Sequence, residues 1–287
     1  MGERQDSQLK DGRDVAIHHA GSPAPGAPVL VMHYGTPHTG KHPPPIDQLA
    51  AAVGLRLVSV TRPGFAGSSR RAGRTVSDAA EDIIEVLDRL NVGRMVTAGY
   101  SGGGPHALAL AALAPDRVDH AATFGCPAPY DQTPDWFTGM AANGGGLRPA
   151  AEGPEARERY QRTAEFDPGS FTAADWAALS GPWAGIGDDA QSATAAGSAF
   201  GEIDDDLALV APWGVDLDRI TTRVSVFHAA SDRVIPAHHA ERLAALLPSA
   251  GVRSLEARGT SPFLGSCPSG CVLSLLIRDG DMPGPIP

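Results

Sequence analysis

The sequence predicts an α/β fold: a mostly parallel central sheet with helices on both faces and an inserted, mainly helical segment. Short, continuously apolar runs alternate with segments of helical period. Strands buried on both faces and their crossover helices read this way. The alternation breaks once, from about Pro127 to Trp213, and then resumes, so an insertion interrupts a single sheet. At 287 residues the chain buries a full core, and one large domain fits it better than two independent ones.

The first stretch, Met1 to Ala27, is polar and rich in Gly and Pro, with an early edge strand expected at about Val15 to His19. Val29 to His33 is a buried strand ending before Gly35, and Leu55 to Thr61 is a second, stopped by Pro63 and Gly64. Thr75 with Asp78 forms a capping-box pattern, and Val76, Ala79, Ala80, Ile83, Ile84, Leu87 and Leu90 recur at helical spacing. Arg94 to Ala98 is the next strand, Gly103 to Ala114 a small-residue helix, and His120 to Phe124 another short strand. Beyond the insertion come a strand at Arg223 to Phe227, a helix at about Ala237 to Leu247 and a strand from about Val252. The chain thus divides into core (1–126), helical lid (127–213), core again (214–258) and an aberrant tail (259–287). The insertion carries acidic patches (Asp188-Asp189, Asp204-Asp205-Asp206) and all four tryptophans, Trp136, Trp176, Trp183 and Trp213. Such a segment reads as a lid over a pocket, or as a helical excursion whose tryptophans pack their own small core.

The hydrophobic fraction of 42% and charged fraction of 20% are ordinary for a soluble protein. A net charge of −10 argues against a nucleic-acid or anionic-membrane partner. No signal-like leader and no bilayer-length apolar run is present in the sequence. Three cysteines suggest no disulfide framework, and Cys267 with Cys271 lacks the second ligand pair of a zinc site. A cytoplasmic setting is expected, with no cofactor or metal.

Gly99-Tyr100-Ser101-Gly102-Gly103 lies between a predicted strand and a predicted helix. This is G-x-S-x-G in the context that makes it specific: a turn so tight that the serine backbone is strained and its hydroxyl stands on a helix N-terminus. The plainer reading is a structural Gly-rich turn. An acyl-transfer serine also needs two backbone N–H donors for the oxyanion. Gly102 supplies one, and the loop His33-Tyr34-Gly35-Thr36-Pro37 supplies the other through Thr36, with His33 bracing the loop.

These segments, with Arg62 to Ser68 (RPGFAGS) and Asp204 to Gly214, resemble the α/β-hydrolase superfamily, specifically its lidded serine hydrolases with esterase- and aminopeptidase-like members. The resemblance spans about Pro28 to Leu255. It implies Ser101 as nucleophile, Thr36 and Gly102 as the oxyanion hole, His33, Gly35, Gly99 and Gly103 as supports, and a small ester or amide as substrate. A serine at the elbow argues against the epoxide-hydrolase and haloalkane-dehalogenase branches, which need a carboxylate nucleophile. The triad acid falls on Asp232 in the loop after the late strand, where the plainer reading is a turn or capping aspartate.

The pattern fails at the base. No histidine follows His239; His238 and His239 stand too close to Asp232 in sequence, and His106 is expected to pack on the elbow helix. The tail also lacks the amphipathic helix that closes the sheet in this family. A reading-frame shift between about Val252 and Gly259 accounts for both: if Gly259 is GGC, its last base and the first two of Thr260 spell histidine. The competing expectation is a divergent tail on a non-catalytic, small-molecule-binding member.

Overall fold

The computed structural model describes residues 2–195, 199–248 and 250–255. The tail expected at 259–287, and the proposed frame shift with it, lies outside the described residues. Eight strands form one sheet in the order β1-β2-β4-β3-β5-β6-β7-β8. They are β1 (Glu3–Gln8), β2 (Asp14–Gly21), β3 (Val29–His33), β4 (Arg56–Val60), β5 (Met95–Tyr100), β6 (Val118–Phe124), β7 (Arg223–Ala229) and β8 (Ala250–Leu255). β1 and β2 pair antiparallel, as do β2 and β4, and every other neighbouring pair is parallel.

Pleating explains the two covered faces, because successive side chains point to opposite sides. In β3, Val31 packs with α2 (Val76–Arg89) and α3 (Gly104–Leu113), through Ile83, Leu87 and Leu108 among others. Leu30 and Met32 face the other way, towards Ile46 and Ala50 of α1 (Pro44–Ala52). The capping box at the start of α2 forms as the sequence expects: the Thr75 hydroxyl accepts from the Asp78 N–H, and Asp78 accepts from the Thr75 N–H.

Two expectations need correction at the N-terminal end. The early strand is β2, hydrogen-bonded on both sides, and the sheet edge is β1, within the stretch read only as polar. β1 has the sequence ERQDSQ and is exposed along nearly its whole length, so no apolar alternation marks it. The sequence reading also placed no helix where α1 forms. Its opening residues Pro44 and Pro45 look like a breaker, yet they occupy the first helical positions, where a missing N–H costs nothing. At the other elements the bounds shift by a few residues, and the elbow helix divides into a 3₁₀ turn (Ser101–Gly103) followed by α3.

Among the described residues, the segment between β6 and β7 contains helices and turns and no strand. Its helices are α4 (Leu147–Glu152), α5 (Pro154–Thr163), α6 (Ala173–Leu179), α7 (Gly185–Thr194) and α8 (Phe200–Val210). A last helix, α9 (His238–Leu246), follows β7. The four tryptophans do not share one surface. Trp213 belongs to the main core, Trp136 to a small cluster with Phe137, Met140 and Ile235, and Trp183 packs against the second core cluster, on the α1 face of the sheet. Trp176 stays 39% exposed next to Phe166 and Phe171. No helix among the described residues is long and apolar enough to cross a membrane.

Candidate active site

β5 ends at Tyr100, and the next residue, Ser101, turns the chain into α3 with φ +50°. This left-handed backbone is strained for any residue with a Cβ. The turn closes only because its flanks are glycines. A Cβ on Gly99 would stand 2.3 Å from the Gly103 carbonyl oxygen, and one on Gly103 would stand 2.1 Å from that of His33. Ser101 itself remains half-buried at the C-terminal end of a central parallel strand. Open α/β sheets present their ligand sites at that end.

The loop after β3 lies against this turn. A Cβ on Gly35 would come 3.3 Å from the Ser101 Cβ, and one on Gly102 would come 2.7 Å from the Thr36 hydroxyl oxygen. The structure therefore brings Ser101, Gly102, Gly35 and Thr36 together. His33 is buried beneath them with Nε2 2.9 Å from the Thr97 hydroxyl, and burial pushes its pKa down to about 3. His106 is likewise buried, with Nδ1 3.0 Å from the Gly102 carbonyl oxygen.

Asp232 sits in the turn after β7, two strands from β5. One carboxylate oxygen accepts from the N–H groups of Val234 and Ile235, both at 2.9 Å. Burial raises its pKa to about 8, against the opposing pull of those two bonds. Its histidine neighbour, His228, has Nε2 3.8 Å away and 2.6 Å from the Ile235 carbonyl oxygen. His239 is buried, accepts from the Ala128 N–H at 3.2 Å, and packs edge-on against Trp136. Among the described residues no histidine is hydrogen-bonded to Ser101.

Sequence reasoning missed the charged group behind the loop. Arg62 donates to the carbonyl oxygens of Tyr34 (2.6 Å) and Gly35 (2.7 Å), to the Thr36 hydroxyl (3.1 Å) and to Asp205 (2.6 Å). The Thr36 hydroxyl donates to Asp205 at 2.5 Å, and Arg74 also pairs with Asp205. Burial alone would raise the Asp205 carboxyl; the charges of Arg62 and Arg74 outweigh it and hold the group well below its ordinary value. The flanking aspartates of α8 are paired too, Asp204 with Arg70 at 2.8 Å and Asp206 with Arg157 at 2.6 Å. RPGFAGS and Asp204-Asp205-Asp206 were both visible in the sequence, but nothing in either shows that they meet.

A second link ties α7 to the same loop. His38 stacks on Tyr34 with ring centroids 4.2 Å apart, and its Nδ1 is 3.1 Å from Asp189. Asp189 also accepts from the Thr39 N–H at 2.9 Å. Burial pushes His38 down and Asp189 up, so both tend towards neutrality. Among the described residues, no group of three or more His, Cys, Asp or Glu side chains is placed to hold a metal ion.

Residues 28–263 match a family described as alpha/beta hydrolase fold. The uncharacterized hydrolase YcgS of Bacillus subtilis (strain 168) is 28% identical over 94 residues, covering 33% of this chain and 32% of that protein. The match thus spans about a third of the relative's length. Among solved structures, the enol-lactonase from Burkholderia xenovorans LB400 superimposes with a TM-score of 0.64 at 19% identity, over 88% of this chain and 91% of that one. The esterase EaEST from Exiguobacterium antarcticum gives 0.60 at 19% identity, over 88% and 91%. A bromoperoxidase from Bacillus anthracis gives 0.65 at 20%, over 88% and 91%. At these identities the likeness is one of fold.

Proposed function

The chain belongs to the α/β-hydrolase family, and on that premise we propose that it is built as a serine hydrolase for a small ester or amide, acting through an acyl-enzyme. The observation that carries this reading is the strained Ser101 at φ +50°, packed against the Gly35–Thr36 loop. In the intact cycle the Ser101 hydroxyl attacks the substrate carbonyl carbon. Its proton passes to a base and on to the leaving group, and water then releases the acyl group and regenerates the hydroxyl. The N–H groups of Thr36 and Gly102 hold the oxyanion. Asp232 would orient a histidine base.

No histidine follows His239 in this sequence, and on the proposed reading the triad base is missing and hydrolysis is impaired. Without its base such a site retains roughly 10³–10⁴-fold over the uncatalysed reaction, from the oxyanion hole and binding. The same absence favours a second reading, in which the fold binds a small molecule without turnover. The expected cytoplasmic setting and the lack of a nucleic-acid or membrane partner stay part of the proposal, on the charge of −10 and the cysteine pattern. We likewise propose that the segment 127–213 covers the pocket and sets substrate choice.

Hydrolysis of p-nitrophenyl acetate by the purified chain and by Ser101→Ala tests the reading. A small rate that vanishes in Ser101→Ala supports a serine hydrolase. Equal rates in both proteins refute it for this chain and leave the binding reading.

A further inference from the structure

We propose that Arg62 and Asp205 are positioning residues for the oxyanion-binding peptide, which makes α8 a structural part of the active site. The inference rests on the hydrolase reading of Ser101. Arg62 holds two successive carbonyl oxygens, those of Tyr34 at 2.6 Å and Gly35 at 2.7 Å. A trans peptide is planar, with its N–H opposite its C=O. With the Gly35 carbonyl turned to Arg62, the Thr36 N–H of the same peptide faces the other way. No described group accepts a bond from that N–H. The elbow lies against this same loop, with a Cβ on Gly35 only 3.3 Å from the Ser101 Cβ. An oxyanion donor requires just such a fixed, unspent N–H.

Asp205 completes the device from the far side. Its carboxylate takes Nε and Nη2 of Arg62 and also the Thr36 hydroxyl, so one group fixes both the guanidinium and the residue whose N–H is aimed. The side chains of Arg62 and Asp205 are 6% and 0% exposed, so little solvent screens the pair. Arg74, fully buried, adds a second guanidinium to the one carboxylate. The local excess of positive charge behind the loop favours a developing oxyanion in front of it.

Two variants test this, Arg62→Lys and Thr36→Val. The first keeps the charge and loses the fork; the second removes the hydroxyl that donates to Asp205 and accepts from Arg62, and leaves the Arg62–Asp205 pair and the two carbonyl bonds in place. Each is read by kcat and KM for p-nitrophenyl acetate, and by amide deuterium exchange over residues 33–40. Arg62→Lys is expected to lower kcat about 10²-fold, the scale of losing one oxyanion donor, with KM changed less than about threefold. Exchange in 33–40 should quicken at least about tenfold while the rest of the sheet stays protected. Thr36→Val should move both readouts the same way and less far, and it carries the test if Arg62→Lys does not fold. A folded variant with wild-type kcat and wild-type exchange overturns the proposal. If Ser101→Ala already matches the wild type, the hydrolase reading has failed, and exchange alone decides: faster supports positioning, unchanged refutes it.

Discussion

Asp232 and His228 stand side by side without forming an ion pair. The carboxylate oxygen is 3.8 Å from Nε2, and that nitrogen instead donates to the Ile235 carbonyl oxygen at 2.6 Å. Burial lowers the histidine and raises Asp232 to about 8, so both are pushed towards their neutral forms. Asp232 is thus a buried acid held by two N–H groups, with no cationic partner among the described residues.

A linkage effect follows. An unfolded aspartate titrates near 3.9, and Asp232 in the fold near 8. Between those values the folded state holds a proton that the unfolded state has lost, so this group's contribution to stability falls as pH rises. Asp232→Asn keeps the acceptor for Val234 and Ile235 and removes the titration. Urea unfolding at pH 5 and pH 7.5 should show the variant gaining on the wild type by at least about 1 kcal/mol across that interval. A constant difference between the two proteins would mean that Asp232 is ionised in the fold.

Ser101→Gly should stabilise the protein while abolishing any serine-dependent rate. The positive φ at Ser101 costs on the order of 1 kcal/mol for a residue with a Cβ, and glycine is free of it. A thermal midpoint raised by a few degrees is the expected sign. A lowered midpoint would count against the strain.

Gly103→Ala should be among the costlier single substitutions. Its Cβ would stand 2.1 Å from the His33 carbonyl oxygen, and both backbones are fixed in the turn. A loss of about 2 kcal/mol or more is expected. Gly93→Ala is the control, since nothing lies within 4 Å of a Cβ there, and its midpoint should stay close to that of the wild type.

Arg157 is 0% exposed and holds Asp206 at 2.6 Å, tying α5 to α8. Burial raises Asp206 to about 7 even with Arg157 beside it. Arg157→Met strands that carboxylate, at an expected cost of about 3–5 kcal/mol above neutral pH. The loss should be smaller at pH 5, where Asp206 takes up a proton. Equal losses at both pH values would show that packing of the Arg157 stem, and not the charge, is what matters.

Much of the core and the elbow was legible because their signals are local. Val29 to His33 reads as a buried strand from apolarity alone, and Thr75 with Asp78 reads as a helix start from spacing alone. Gly99 and Gly103 announce the turn because no side chain fits beside those carbonyls. β1 was not legible, since an exposed edge strand needs no apolar face; nor was α1, whose prolines read as a breaker.

The sequence by itself determined the core strands from β3 onward, the helices α2 and α3, the tight turn at Ser101 and the loop after β3, because periodicity and turn stereochemistry act over a few residues. Only the tertiary structure decided that Arg62, Arg70 and Arg74 converge on Asp204 and Asp205, between 131 and 143 residues away. An ion pair between distant segments leaves no periodic mark in either. Its partners are chosen by the path of the chain around the sheet, and by the cost of burying a charge with nothing opposite it.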